Sequence, residues 1–309
     1  MSSAKKTYSV PMALTALSFA LLCTGIAFAH PLTIEGHKAI ADIPEALLLI
    51  IIGSGVGILG TLIGVGGGFI VVPILLIFYG FTPQHAIGTS MVVVFLNALS
   101  GTFSYMVQKR IDYEIGIKFS VAAVPGVLIG AEVSQAFNLA TFSTLFAALL
   151  SLIAYRLFSG KEVVLMRING RFLPQERRFQ DCLGQTHAYA PDFPIGLSVS
   201  FFVGVISGLF GIGGGIIHVP LLYSTLGVPV HIATATSHFI LAITSFFGVI
   251  MFLGLQSIDI DYAVLLGIGS VMGAYIGARL SLHAHPNLIK KVISFCLLLF
   301  AIKLGMTAI

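Results

Sequence analysis

The sequence predicts an all-α integral membrane protein built from two inverted-topology repeats, each with a glycine-broken helix pair and about three further helices. Three observations predict it. The chain is 57% hydrophobic and only 9% charged, with a mean hydropathy of +1.02, whereas soluble chains carry about 25% charge. The stretch Gly64-Val65-Gly66-Gly67-Gly68-Phe69-Ile70-Val71-Val72-Pro73 returns as Gly211-Ile212-Gly213-Gly214-Gly215-Ile216-Ile217-His218-Val219-Pro220, an offset of 147 (211 − 64). Basic residues, finally, change sides between the two copies.

The offset holds without a gap for roughly 70 residues, with roughly 20 of about 68 paired positions identical, a strong repeat signal. Thr89-Ser90 falls on Thr236-Ser237, Gly101 on Gly248, Ile111-Asp112 on Ile258-Asp259, and Ile129-Gly130-Ala131 on Ile276-Gly277-Ala278.

In chain order, Lys5-Lys6 precede an apolar run that ends in Ala27-Phe28-Ala29. Residues 1–29 therefore read either as a cleavable signal peptide or as a first transmembrane helix. Residues 30–158 form the first membrane repeat, opening with a polar extracytoplasmic segment to Glu45. Apolar spans near the 20 residues that a crossing needs are expected over 46–63, 83–108, 115–135 and 139–158, with a half-helix over 69–79. Residues 194–309 form the second repeat, with helices near 194–210, 216–226, 230–255, 262–282 and 288–308. Between them, 159–193 is a basic loop carrying Lys161, Arg167, Arg171, Arg177 and Arg178. Asn169-Gly170 between apolar runs predicts a hairpin there, and the charge places the loop in the cytoplasm.

Lys109-Arg110 lies two helices before that loop and so on the same side. Its partner in the second copy, Gln256-Ser257, has no base. Conversely, the uncharged turn Ala136-Phe137-Asn138 matches a corner bounded by Arg279 and Lys290-Lys291. An odd number of crossings per copy produces this flip, and inverted repeats are a common transporter architecture.

The glycine runs carry the chemistry. A GVGGG run holds a helix poorly, each glycine costing about 1 kcal/mol against alanine. Irregular backbone at membrane depth survives only where it lines a cavity or is buried in protein. Each run opens a short apolar helix, and N–H groups at a helix start form an anion nest. A broken helix in each half points to a midplane binding site. The substrate-binding candidates are thus Gly64, Gly66, Gly67 and Gly68 with Gly211, Gly213, Gly214 and Gly215. The competing reading is that these glycines serve helix packing alone.

Thr89, Ser90, Thr236 and Ser237 stand about two turns into the helix after each half-helix, where their hydroxyls suit an anion's oxygens. Bonding back to the i−4 carbonyl or bridging helices is the alternative. His218 replaces Val71 and His238 replaces Met91, so the second copy alone gains two imidazoles suited to proton coupling or to a plain core role. Asp112 and Asp259 are expected to cap the helices that follow them. His85, His231, His283 and His285 read as interfacial.

The doubled G-[VI]-GGG-[FI]-I-x-VP motif, with Ala86–Ser90 and Ala233–Ser237 downstream, resembles the TauE/SafE family of membrane transporters, also called sulfite exporters. The resemblance runs from about Ala46 to the C-terminus, leaving out the leader and the central loop. It implies a multi-pass inner-membrane protein that exports small organic or sulfur-containing anions such as sulfite or sulfoacetate.

The expected partners are a small anionic substrate and the lipid bilayer, with a homo-oligomer left open. No cofactor is called for. The net charge of +4 (16 − 12) reflects membrane topology rather than nucleic-acid binding, and Cys23, Cys182 and Cys296 are too scattered for a disulfide framework or a zinc site. Two other functions stay open. A divalent-cation permease would use intramembrane histidines with Glu132. An intramembrane enzyme would need a nucleophile or metal set, and neither HExxH nor GxSxG occurs.

Overall fold

The computed structural model describes residues 43–159, 177–180, 186–189, 193–281 and 286–307. The first half holds α1 (Ile43–Ile63), α2 (Gly68–Phe78), α3 (Pro83–Val107), α4 (Tyr113–Ser134) and α5 (Leu139–Ser159). The second holds α6 (Phe193–Phe210), α7 (Gly215–Pro220) with a π-helical turn (Leu221–Thr225), α8 (Val230–Gly254), α9 (Ile260–Leu280) and α10 (Pro286–Thr307). These helices fall within a few residues of the expected bounds. Two short antiparallel strands, β1 (Arg177–Gln180) and β2 (Thr186–Tyr189), lie between the halves. The leader, the Asn169-Gly170 hairpin, His283 and His285 lie outside the described residues.

Among the described residues, seven helices (α1, α3, α4, α5, α6, α8 and α9) are long and apolar enough to cross a membrane. Side chains such as Ile51, Val121, Phe202 and Ile276 stand exposed on their outer faces. A soluble fold buries such residues; a bilayer accepts them. The chain is a multi-pass membrane protein.

Local chemistry sets the helix boundaries. The Asp112 carboxylate accepts from the N–H groups of Glu114 and Ile115 at the start of α4, and that of Asp259 accepts from Tyr262 N–H at the start of α9, as expected of caps. Thr82-Pro83 opens α3 with proline in the first turn, where its missing N–H removes no bond.

The halves interlock rather than sit side by side. The main partner of α1 is α9, and that of α4 is α6, while α3 packs on α8 at the centre. Small residues permit the two outer pairings. Gly57 of α1 lies against the Ser270 backbone, and Gly204 of α6 against that of Ala123. Any side chain at either position would push the helices apart. Around the half-helices the core is aliphatic and aromatic, with Phe69, Leu75, Phe142, Phe146 and Leu150 fully buried.

Candidate anion site at the paired glycine turns

After α1, three N–H groups (Gly64, Val65 and Gly66) converge on the carbonyl of Gly60 at 3.0, 2.8 and 3.3 Å. The chain then turns sharply. Gly64, Gly66 and Gly67 take φ of +88°, +83° and +83°; Gly211, Gly213 and Gly214 take +68°, +76° and +71°. L-residues rarely adopt this left-handed backbone, so glycine is required. The conformation recurs at the 147 offset, as it does at Gly80 and Gly227 and at Lys109 and Gln256.

Beyond each turn a helix starts without a side-chain cap. Among the described residues, the N–H groups of Gly67, Gly68 and Phe69 find no hydrogen-bond acceptor, nor do those of Gly214, Gly215 and Ile216. All six residues are buried. Two sets of orphan donors, each at the positive end of a helix, therefore lie inside the molecule.

The two turns meet. Gly68 packs against the carbonyl of Gly211, and Gly215 against that of Gly64. Ser90 Oγ donates to Gly211 O at 2.9 Å, and Ser237 Oγ donates to Gly64 O at 3.0 Å. Thr89 Oγ1 accepts from Asp259 N–H and Thr236 Oγ1 from Asp112 N–H, both at 3.0 Å. The structure thus gathers the eight glycines and the Thr-Ser pairs as the sequence suggested, but in another arrangement. Each hydroxyl is engaged with backbone of the other half, so these residues hold the turns and corners in place. Bare hydroxyl donors aimed at an anion are not what the geometry displays.

Sequence reasoning missed Val94 and Leu241, related by the same offset. Their methyl groups lie over Gly66 and Gly213 and fill the space between the turns, together with Ala98 and Ala242. Each stands four residues after its serine, so helical periodicity would have placed it on the same face. Asn97 is a second such residue, fully buried. It accepts from Thr61 Oγ1 at 3.2 Å and donates to Gly57 O at 3.2 Å, tying α3 to the last turns of α1.

His218 is buried beside the second turn, its Nε2 2.9 Å from Ser200 Oγ. That hydroxyl spends its proton on Phe119 O at 2.9 Å, so the imidazole is the donor of the pair. His238 is fully buried, its ring edge-on to Tyr105 at 5.4 Å. Glu132, by contrast, is exposed on the outside of α4 and takes no part in this centre. Among the described residues no three of His, Cys, Asp and Glu come together to hold a metal ion.

Residues 48–304 match the family described as sulfite exporter TauE/SafE. The chain belongs to the TauE/SafE family. It is 34% identical over 265 residues to the probable membrane transporter protein YunE of Bacillus subtilis, covering 84% of this chain and 96% of that one. A probable membrane transporter protein of Methanocaldococcus jannaschii is 29% identical over 262 residues, covering 80% of this chain and 90% of its own length. A third, from Xylella fastidiosa, is 27% identical over 263 residues, covering 82% and 94%. No solved structure matches the chain. This TauE/SafE protein is a membrane transporter rather than an enzyme, and the matched span takes in both glycine turns.

Proposed function

We propose that this TauE/SafE protein is a secondary transporter that exports a small sulfur-containing anion, sulfite or an organosulfonate, across the inner membrane by alternating access. The observation that carries the reading is the pair of buried turns whose six orphan N–H groups face no acceptor of their own. Backbone donors at helix starts recognise oxyanions without a resident cation, which lets an anion bind and leave. The family's description as a sulfite exporter supports the choice of anion.

The reading takes residues 30–158 and 194–309 as inverted repeats, with 159–193 in the cytoplasm. Reciprocal bonding of the kind seen at Ser90 and Ser237 suits two halves that rock about a shared centre, exposing it to one side and then the other. Val94 and Leu241 close the space between the turns in the state described and must part for substrate to enter. His218 and His238, present in one half alone, are the candidates to couple anion movement to protons.

Flux in proteoliposomes tests it, with sulfite, sulfoacetate, sulfate and acetate compared under an imposed pH gradient. Flux of a sulfur anion that vanishes in both Gly67→Val and Gly214→Val supports the reading. A folded protein that moves none of the four overturns it.

A further inference from the structure

Two halves that match so closely are informative where they stop matching. At the end of the bundle holding the Lys109-Arg110 corner, three side chains form a column. The Arg110 guanidinium lies over the Tyr105 ring, 5.1 Å from its centroid. Tyr105 meets the His238 ring edge-on at 5.4 Å, and its hydroxyl donates to Thr61 O at 2.9 Å, three residues before Gly64. His238 in turn follows Ser237, whose hydroxyl holds the Gly64 carbonyl. The column leads from one end of the molecule to the first glycine turn. The 147 offset names the residues at the matching place in the other half: Ser257, Phe252 and Met91. None of these carries charge. At these matched positions one end is polar and cationic and the other is uncharged.

Arg110 is only 5% exposed. Its Nη1 donates to Gln108 Oε1 at 2.8 Å and to Ser281 Oγ at 3.3 Å, and its Nη2 to His231 O at 3.0 Å. Ser281 follows α9 and His231 begins α8, so the guanidinium ties the corner of one half to two helix ends of the other. A second observation lies deeper in the column. His238 is fully buried, and among the described residues neither ring nitrogen has a side-chain hydrogen-bond partner. Polar atoms so deeply buried are seldom left without a strong partner.

We propose that Arg110, backed by Tyr105 and His238, is an oxyanion-capture site at one mouth of the transport path. Opening that mouth parts the corner from the ends of α8 and α9, which breaks the bonds to Ser281 and His231. An oxyanion then takes their place, two of its oxygens meeting the guanidinium fork. Such charge-assisted, bidentate bonds are stronger than the two to the neutral oxygens of Ser281 and His231, so anion binding drives the same exchange that opening requires. His238 offers the next polar atoms on the way to the Gly64 turn. The far mouth carries Ser257, Phe252 and Met91 at the matching positions, none of them cationic, and releases the anion to water. This deepens the anion-transport reading and rests on it.

The test is sulfite flux measured separately from each face, at equal pH and zero membrane potential. Vesicle orientation is read by an impermeant maleimide at Glu114→Cys in a cysteine-free background; Glu114 is exposed at the Arg110 corner. Arg110→Gln should raise the half-saturating sulfite concentration at the Arg110 face about tenfold or more. The opposite face should keep its half-saturation within about twofold and lose maximal rate instead, because linkage ties the two directions together. Arg110→Lys, with charge but no fork, should fall between. Gln108→Ala, which keeps the arginine and removes one competing oxygen, should lower half-saturation at the Arg110 face.

Equal shifts at both faces in Arg110→Gln, or an unchanged half-saturation at the Arg110 face, overturn the capture site. Should Arg110→Gln not fold, an unchanged or raised half-saturation in Gln108→Ala overturns it instead. A native protein that moves no oxyanion from either face overturns the transport reading itself.

Discussion

Ser90 and Ser237 hold each other's halves: the hydroxyl of each donates to a carbonyl in the glycine turn of the opposite half, at 2.9 and 3.0 Å. The bond is local to neither turn. A carbonyl freed by the left-handed glycine conformation is satisfied by a side chain about 120 to 170 residues away, so neither turn is complete without the other half.

Removing either hydroxyl leaves a buried carbonyl short of a partner. Ser90→Ala and Ser237→Ala should each lower stability by about 1–3 kcal/mol, and by similar amounts because the sites are equivalent. Thermal unfolding in detergent measures this. A neutral result for both would mean that the turns hold themselves in place.

At the turns the backbone itself forbids substitution. Gly67→Ala puts a methyl group at φ +83° and into the side chain of Val56; Gly214→Ala puts one at φ +71° beside Val203. Strain of about 1–3 kcal/mol is expected at each, with loss of flux as the turn shifts. Gly55→Ala in mid-α1, where an added Cβ meets nothing within 4 Å, should leave flux intact and gain up to about 1 kcal/mol of helix preference. Equal flux in all three variants would argue against the turns as the site.

Val94 and Leu241 separate the turns in the state described. Leu241→Ala should cost about 2–5 kcal/mol by opening a cavity and should speed passive sulfite leak. Val94→Phe should overpack the same filled space at a cost of about 1–3 kcal/mol and stop flux, because the larger ring blocks the parting of the turns. Normal flux in Val94→Phe would place the path elsewhere.

His218→Gln and His238→Gln separate coupling from transport. Each should retain flux down a substrate gradient, and the variant that lacks the coupling group should no longer respond to an imposed pH gradient. If both variants still accelerate under the gradient, neither histidine couples protons.

What the amino-acid sequence determined by itself is the local chemistry. Helix lengths follow from apolar runs between breaks, the Asp112 and Asp259 caps from their position before α4 and α9, and the sharp turns from glycine runs that no helix tolerates. The 147 offset pairs the two glycine turns, and the left-handed backbone recurs at that offset. All of this rests on residues close in sequence, whose preferences act before any tertiary contact forms. Which groups partner which was decided only by the tertiary structure. The hydroxyls of Thr89, Ser90, Thr236 and Ser237 suit in sequence either an anion's oxygens or a bridge between helices, and in the fold they are committed across the halves. The interlock of α1 with α9 and of α4 with α6 was not legible, nor was the column from Arg110 through Tyr105 to His238. The physical reason is that a hydrogen bond or a packed glycine pays no regard to sequence distance. A hydroxyl's propensity is the same whether it faces substrate or a carbonyl from the other half, and only the packing of the two halves settles which one it meets.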